Sequence, residues 1–288
     1  GSIATVVTSG FTSIDTLTGS GTDSLQAPAA TAIGVSGANS GTVAGGGLGF
    51  SGINTLVADS GGTTFNFTGG SVATVTGGVG TDVLSIAGAG GGKAVVLTGG
   101  KAGSIATVVT SGFTSIDTLT GAASDSLQLP AGTANTVSIS GANAGTVTGS
   151  SSFSGFSTLL AGALGDTFNI TTGTGSMTTI TGGAGTDTLS TAGAGGSKTV
   201  TLTAASTGSV NTTATTGFSS IETLAGAASD TLQLKNTANT ATISGASSGS
   251  LGTGETFSGF GTLAAGSAGD TFNFTGGSVA TVTGGVGT

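Results

Sequence analysis

The sequence predicts an all-β chain wound as a parallel β-solenoid (β-helix), with about 21 residues per coil and about 14 coils. Three observations predict it. Long stretches restart at a fixed interval, short apolar–polar alternations fall on a regular beat within them, and glycine-rich corners separate the alternations. The long interval comes first. GSIATVVTSGFTSIDTLTG at 1–19 returns unchanged at 103–121, and GSVNTTATTGFSSIETLAG opens a third copy at Gly208. The chain therefore divides into repeats at 1–102, 103–207 and an incomplete 208–288, read as one continuous rod. The opening residues belong to the repeat, and neither end has the polar look of a solenoid cap.

The beat is one large apolar residue per coil. It falls at Ile3, Leu25, Val43, Phe65, Leu84, Ile105, Leu127, Val147, Phe168, Leu189, Val210, Leu232, Leu251 and Phe272. Short strands follow it. LQL at 127–129, FNF at 65–67 and FNI at 168–170 turn Leu, Phe and Ile inward and Gln or Asn outward. A second strand reads TVSIS at 136–140 and TATIS at 240–244. A third element is F-x-x-[IF]-x-x-L, with Phe113, Ile116 and Leu119, then Phe153, Phe156 and Leu159. Its spacing imitates a helix face, but it is short and rich in Ser, Thr and Gly, so it reads as a strand and corner feeding the core. Leu25, Leu127, Leu232, Phe65, Phe168 and Phe272 are the expected core. Fourteen coils about 4.8 Å apart make a rod roughly 65 Å long. Three β-sandwiches fit the long interval but not the beat.

Composition narrows the functions. Only 6% of residues are charged, against about a quarter in an ordinary domain. There are 59 glycines, four lysines and no Arg, His, Trp, Tyr or Cys. Val, Ile, Thr and Phe favour ordered strands over disorder. With a net charge of −8 and no basic stripe, nucleic acid is not an expected partner. No apolar run reaches the roughly 18 residues of a membrane span, so membrane insertion is not expected either.

Two stretches carry the most specific pattern: GGVGTDVLS at 77–85 and GGAGTDTLS at 182–190. They resemble the nonapeptide G-G-x-G-x-D-x-(apolar)-x of the repeats-in-toxin family of secreted bacterial proteins. That resemblance implies a parallel β-roll holding calcium between stacked turns. Reading the beat, Asp precedes the anchor by two residues at Asp23, Asp82, Asp125, Asp166, Asp187, Asp230 and Asp270, with Gly or Thr on the coils between. By that reading only Asp166 and Asp187 are neighbours, and any calcium belongs to that pair. The other aspartates are read as corner residues that bind backbone N–H groups, with interleaved glycines relieving carboxylate repulsion. No other cofactor is expected.

Catalysis is not expected. Without His, Arg or Tyr, neither an acid–base pair nor a subsite for an acidic sugar can be assembled. Asp15, Asp117 and Glu222 share a repeat position five coils apart, too far to pair with one another. Lys93 and Lys198 lack the phosphate-loop pattern and read as solvated corners. Ice binding needs Thr-x-Thr triplets once per coil in one register, which the linear sequence does not display. Asn66, Asn169 and Asn273 begin N-x-Thr sequences, which strand alternation alone produces. Across its whole length the chain is similar to the Cys-free β-strand repeats of large bacterial surface proteins, of adhesin, filament or surface-layer type. That resemblance implies an extracellular or cell-surface structural role with identical copies as partners. The alternative is a calcium-loaded or ice-binding module.

Overall fold

A computed structural model of the chain describes residues 12–44, 47–211 and 216–287. The beat position at Ile3 lies outside the described residues. No helix occurs among them; thirty strands join one hydrogen-bonded sheet that does not close on itself, and most pairings are parallel. This is the all-β, mostly parallel architecture the repeats predict.

The pairings trace two ladders. One runs through Val72–Thr76, Ser126–Gln128, Thr158–Leu160, Thr179–Thr181, Thr231–Gln233, Thr262–Ala264 and Thr281–Thr283. The other runs through Thr64–Phe67, Val83–Ser85, Thr118–Thr120, Thr167–Ile170, Thr188–Ser190, Thr223–Ala225 and Thr271–Phe274. The long strands Thr16–Gln26 and Leu48–Val57 pass through both and tie them into one sheet. Residues that alternate inward along both ladders meet in a single apolar core.

Five antiparallel meanders among the described residues interrupt the parallel stacking. Thr136–Gly141, Ala144–Val147 and Ser152–Ser154 form one in the second ladder; Thr199–Ala204, Thr207–Val210 and Thr216–Ser219 form another in the first. Each runs ahead and folds back. Its last strand pairs with an earlier rung (Thr179↔Gly217), and its first strand pairs with a later one (Thr199↔Thr231). This corrects a uniform beat. Where no meander intervenes, rung neighbours are 19 to 21 residues apart, as in Thr64↔Val83 and Thr167↔Thr188. Where one does, they are 30 to 38 apart, as in Asp23↔Ile53, Thr136↔Thr167 and Thr179↔Gly217. Val43, Ile105, Val147, Val210 and Leu251 sit on the return strands and mark no coil of their own.

The same geometry explains Gly41, Gly103, Gly145, Gly208 and Gly249. They do not alternate with the aspartates. Each lies on a return strand beneath a phenyl ring, of Phe50, Phe113, Phe153, Phe218 and Phe257. A Cβ at Gly145 would stand 2.2 Å from the Ser138 carbonyl oxygen and 2.9 Å from the Phe153 ring, so only glycine admits the ring. The hairpin before each return strand turns on a left-handed residue: Asn39, Lys101, Asn143, Ser206 and Ser247 all take φ between 49° and 63°.

The expected core holds. Leu127, Leu232, Phe65 and Phe168 are fully buried, and Leu25 and Phe272, at opposite ends of the ladders, pack partly against the same cluster. Phe113, Ile116, Leu119, Phe153, Phe156 and Leu159 are buried too, carrying the chain from a meander through a corner to the next rung.

Candidate functional site

The chemistry of this chain is concentrated in its corners. Asp82, Asp125, Asp166, Asp187 and Asp230 are at most 1% exposed, an environment that penalises an uncompensated carboxylate heavily. Most are compensated by the same device. One oxygen accepts an N–H of its own corner, and the other accepts an N–H from the previous rung. Asp82 takes Gly78 N–H at 2.8 Å and Thr63 N–H at 2.7 Å. Asp125 takes those of Ala122 and Lys93, both at 2.8 Å. Asp230 takes Ala227 N–H at 2.9 Å, Lys198 N–H at 2.8 Å and the Thr191 hydroxyl at 2.7 Å. Partly exposed Asp270 repeats the pattern with Gly266 and Asn239. Charge-assisted bonds of this kind are about twice as strong as neutral ones, so each carboxylate pins one rung to the next. Lys93 and Lys198 have their backbone N–H groups committed to these bonds, while the Lys198 ammonium donates to the Gly195 carbonyl.

The second ladder stacks these corners into a column. The residues just before its successive strands are Asn135, Asp166, Asp187, Glu222 and Glu255. Asp166 and Asp187 are rung neighbours, as the sequence predicts: the Asp166 N–H donates to Asp187 Oδ1 at 2.6 Å. They are not the only such pair. The Asp187 N–H donates to Glu222 Oε2 at 3.0 Å, and the Asp82 N–H to Asp117 Oδ2 at 2.9 Å, each across 35 residues. Sequence reading missed these pairs because an intervening meander hides the adjacency. Asp117 and Glu222, distant from one another, each belong to a neighbour's column.

The two columns differ in balance. Lys101 pairs with Asp117, the one ion pair among the described residues. Burial works to raise the Asp117 carboxyl, but the Asp82 N–H and the Lys101 ammonium outweigh it and hold the group below the usual carboxylate range. No lysine serves the other column at that place, where Ser206 occupies the turn position of Lys101. Burial there pushes the Asp187 carboxyl up; the Asp166 N–H opposes, and the negative charges of Asp166 and Glu222 add to the rise. Asp187 Oδ2 is buried and has no hydrogen-bond partner.

Lys235 and Glu255 make a smaller cluster. Lys235 is only 6% exposed, its ammonium donating to Thr253 Oγ1 at 2.8 Å, and that hydroxyl donates to Glu255 Oε2 at 2.5 Å. The Ser206 N–H reaches Glu255 Oε1 at 2.6 Å. Burial works to raise the Glu255 carboxyl, but the Thr253 hydroxyl, the Ser206 N–H and Lys235 hold it below its ordinary value. In sequence nothing but the rarity of lysine sets Lys235 apart.

Calcium takes six to eight oxygen ligands. Asp166 Oδ1 accepts two donors of Asn135, its N–H at 2.6 Å and its side-chain amide at 2.7 Å, and Asp166 Oδ2 accepts Gly162 N–H at 2.8 Å. Asp187 Oδ2 is the one oxygen of the pair free of a donor. No group of three or more His, Cys, Asp or Glu among the described residues is placed to hold a metal ion. No protein-family model, curated protein or solved structure matches the chain.

Proposed function

We propose that the chain is an extracellular structural segment: a parallel β-solenoid from a fibre-forming, adhesive or surface-coating repeat protein, associating with identical copies end to end or laterally. In this reading the bare coil is about 21 residues and each meander lengthens it. The single observation that carries the proposal is propagation. Two ladders, one core and one recurring carboxylate device repeat along the chain, while the outward surface is mostly uncharged Ser, Thr, Ala and Gly. Such a surface lacks the like-charge repulsion that keeps copies apart. Sedimentation and electron microscopy of the purified chain at micromolar concentration test it. Fibres or lateral arrays are expected; a stable monomer at every concentration contradicts the proposal.

A second reading gains from one observation. Thr136, Thr167, Thr188, Thr223 and Thr256 fall on successive rungs of one column, as do Thr199, Thr231, Thr262 and Thr281 of another. Meanders had scattered them in the linear sequence. A regular array of hydroxyl and methyl groups is what an ice-binding surface requires, and an ice-recrystallisation assay decides whether this one acts so. The calcium reading rests on Asp187 Oδ2 alone. Circular dichroism in chelator is expected to keep its β-signal, and a collapse there would restore Asp166 and Asp187 as ligands.

A further inference from the structure

The Lys235–Glu255 cluster has no counterpart in the preceding repeat. Lys235, Thr253 and Glu255 stand where that repeat has Pro130, Gly149 and Ser151, so three positions that meet in space change together. Ser151 is buried and donates its hydroxyl to the Ile116 carbonyl. The three residues of the third repeat instead form a relay, from a buried cation through an exposed hydroxyl to a buried carboxylate. Thr253 Oγ1 accepts from Lys235 Nζ at 2.8 Å and donates to Glu255 Oε2 at 2.5 Å. The Ser206 N–H fixes the other carboxylate oxygen and so sets the direction of the group. The hydroxyl can also be approached. A cavity of about 190 Å³ is lined by Thr253 with Gly252, Ala238, Asn239 and Thr240. On the other side of the turn, a Cβ at Gly254 would meet nothing within 4 Å beyond the adjacent residues.

We infer that Thr253 is an acyl-acceptor site, taking a small acyl group from an activated ester or thioester. A hydroxyl becomes a nucleophile when a base within hydrogen-bond reach takes its proton as it attacks. Glu255 is that base, and because it is held below its ordinary value it is ionised at neutral pH. Thr253 Oγ1 forms a bond to the acyl carbon, and the bond from that carbon to the leaving oxygen or sulfur breaks. The leaving group keeps the electron pair, and the hydroxyl proton passes to Glu255 Oε2. The Lys235 ammonium, 2.8 Å from Oγ1, faces the negative charge that develops at the attacked carbonyl. The inference goes beyond the stacking role and does not depend on it.

The probe is p-nitrophenyl acetate, added to the full chain at neutral pH. Peptide mapping by mass spectrometry locates the acetyl groups. Neutral hydroxylamine then removes an ester from threonine and leaves amides on lysine. A hydroxylamine-labile adduct is expected at Thr253, forming about a hundredfold faster than at the exposed Thr136, the lower end of what a positioned base contributes. Glu255→Gln keeps an oxygen for the Ser206 N–H and is expected to slow labelling by a similar factor. Thr253→Ser is expected to label and Thr253→Val is not. Labelling of Thr253 no faster than Thr136 overturns the inference, as does acetyl found only on lysines. A folded Glu255→Gln chain labelled at the wild-type rate does so too. The comparison with Thr136 is made within the unaltered chain, so it decides the matter even where a variant does not fold.

Discussion

The nonapeptides at 77–85 and 182–190 differ at two positions, yet they hold their aspartates differently. Asp82 has both oxygens on backbone N–H groups, beneath an Asp117 neutralised by Lys101. Asp187 keeps one oxygen unpaired between two further carboxylates. Some of the difference is backbone. Gly183 takes φ +91°, whereas its counterpart Gly78 stays out of the left-handed region and donates to Asp82. The rest lies in the neighbours. The rung before carries Thr63 in one case and Asp166 in the other, and the hairpin turn behind carries Lys101 or Ser206. Thr63 Oγ1 is itself buried without a partner, but a stranded hydroxyl costs less than a stranded carboxylate oxygen. A nine-residue motif therefore fixes the corner's path, while the rungs above and below fix its electrostatics.

Removing the device should cost most where it is complete. Asp82→Ala leaves the Gly78 and Thr63 N–H groups without acceptors and should destabilise by about 2–6 kcal/mol, at about 1–3 kcal/mol for each stranded group. Urea unfolding measures it. Asp187→Asn should act in the opposite direction, raising stability by about 1–3 kcal/mol near neutral pH, because the amide presents an N–H where Oδ2 is unpaired. Asn135 already does this on the rung before Asp166, its side-chain amide donating at 2.7 Å. A loss of stability in Asp187→Asn equal to that of Asp82→Asn would erase the contrast.

The contrast also predicts a pH signature. The folded Asp187 carboxyl is raised, so the folded state holds its proton more tightly than the unfolded chain. Its contribution is fully present below the ordinary carboxylate value and is lost as pH rises through the raised one. Asp117 and Glu255 are lowered, so theirs is present above the ordinary value and lost as pH falls through the depressed one. Wild type minus Asp187→Asn should therefore show stability falling from mild acid toward neutral pH, read from denaturation midpoints. A flat difference curve would remove the raised carboxyl from the account. Smallest of all, Ser206→Lys should place a cation beside Glu222 as Lys101 stands beside Asp117. The gain should be about 0.5–1 kcal/mol and should fade in high salt.

Much of the fold is legible in the sequence. Leu127, Phe65 and Phe168 announce the inward face by alternation alone, and the corner aspartates by their glycines. The meanders are not, because an antiparallel return strand carries the same period of two as a parallel rung. A signal does exist. SGANSGTV at 36–43, SGANAGTV at 140–147 and SGASSGSL at 244–251 repeat one turn around Asn39, Asn143 and Ser247, all left-handed. Read as hairpins, they would have marked three of the five meanders; the two that bring Asp82 to Asp117 and Asp187 to Glu222 turn on Lys101 and Ser206 and lack that pattern. The orphaned Asp187 oxygen depends on three rungs at once, so no local pattern reports it.

The central claim is that meanders let residues more than thirty positions apart become rung neighbours. The chain has no cysteine, so paired spin labels can be placed freely. Thr120 lies opposite Ser154 on adjacent parallel strands, whereas a uniform 21-residue coil would set it opposite residue 141. Labels at Thr120→Cys and Ser154→Cys should show the strong dipolar broadening of nearest neighbours about 4.8 Å apart in backbone, and labels at Thr120→Cys and Gly141→Cys should not. The reverse result would contradict the two-ladder account and restore the uniform coil.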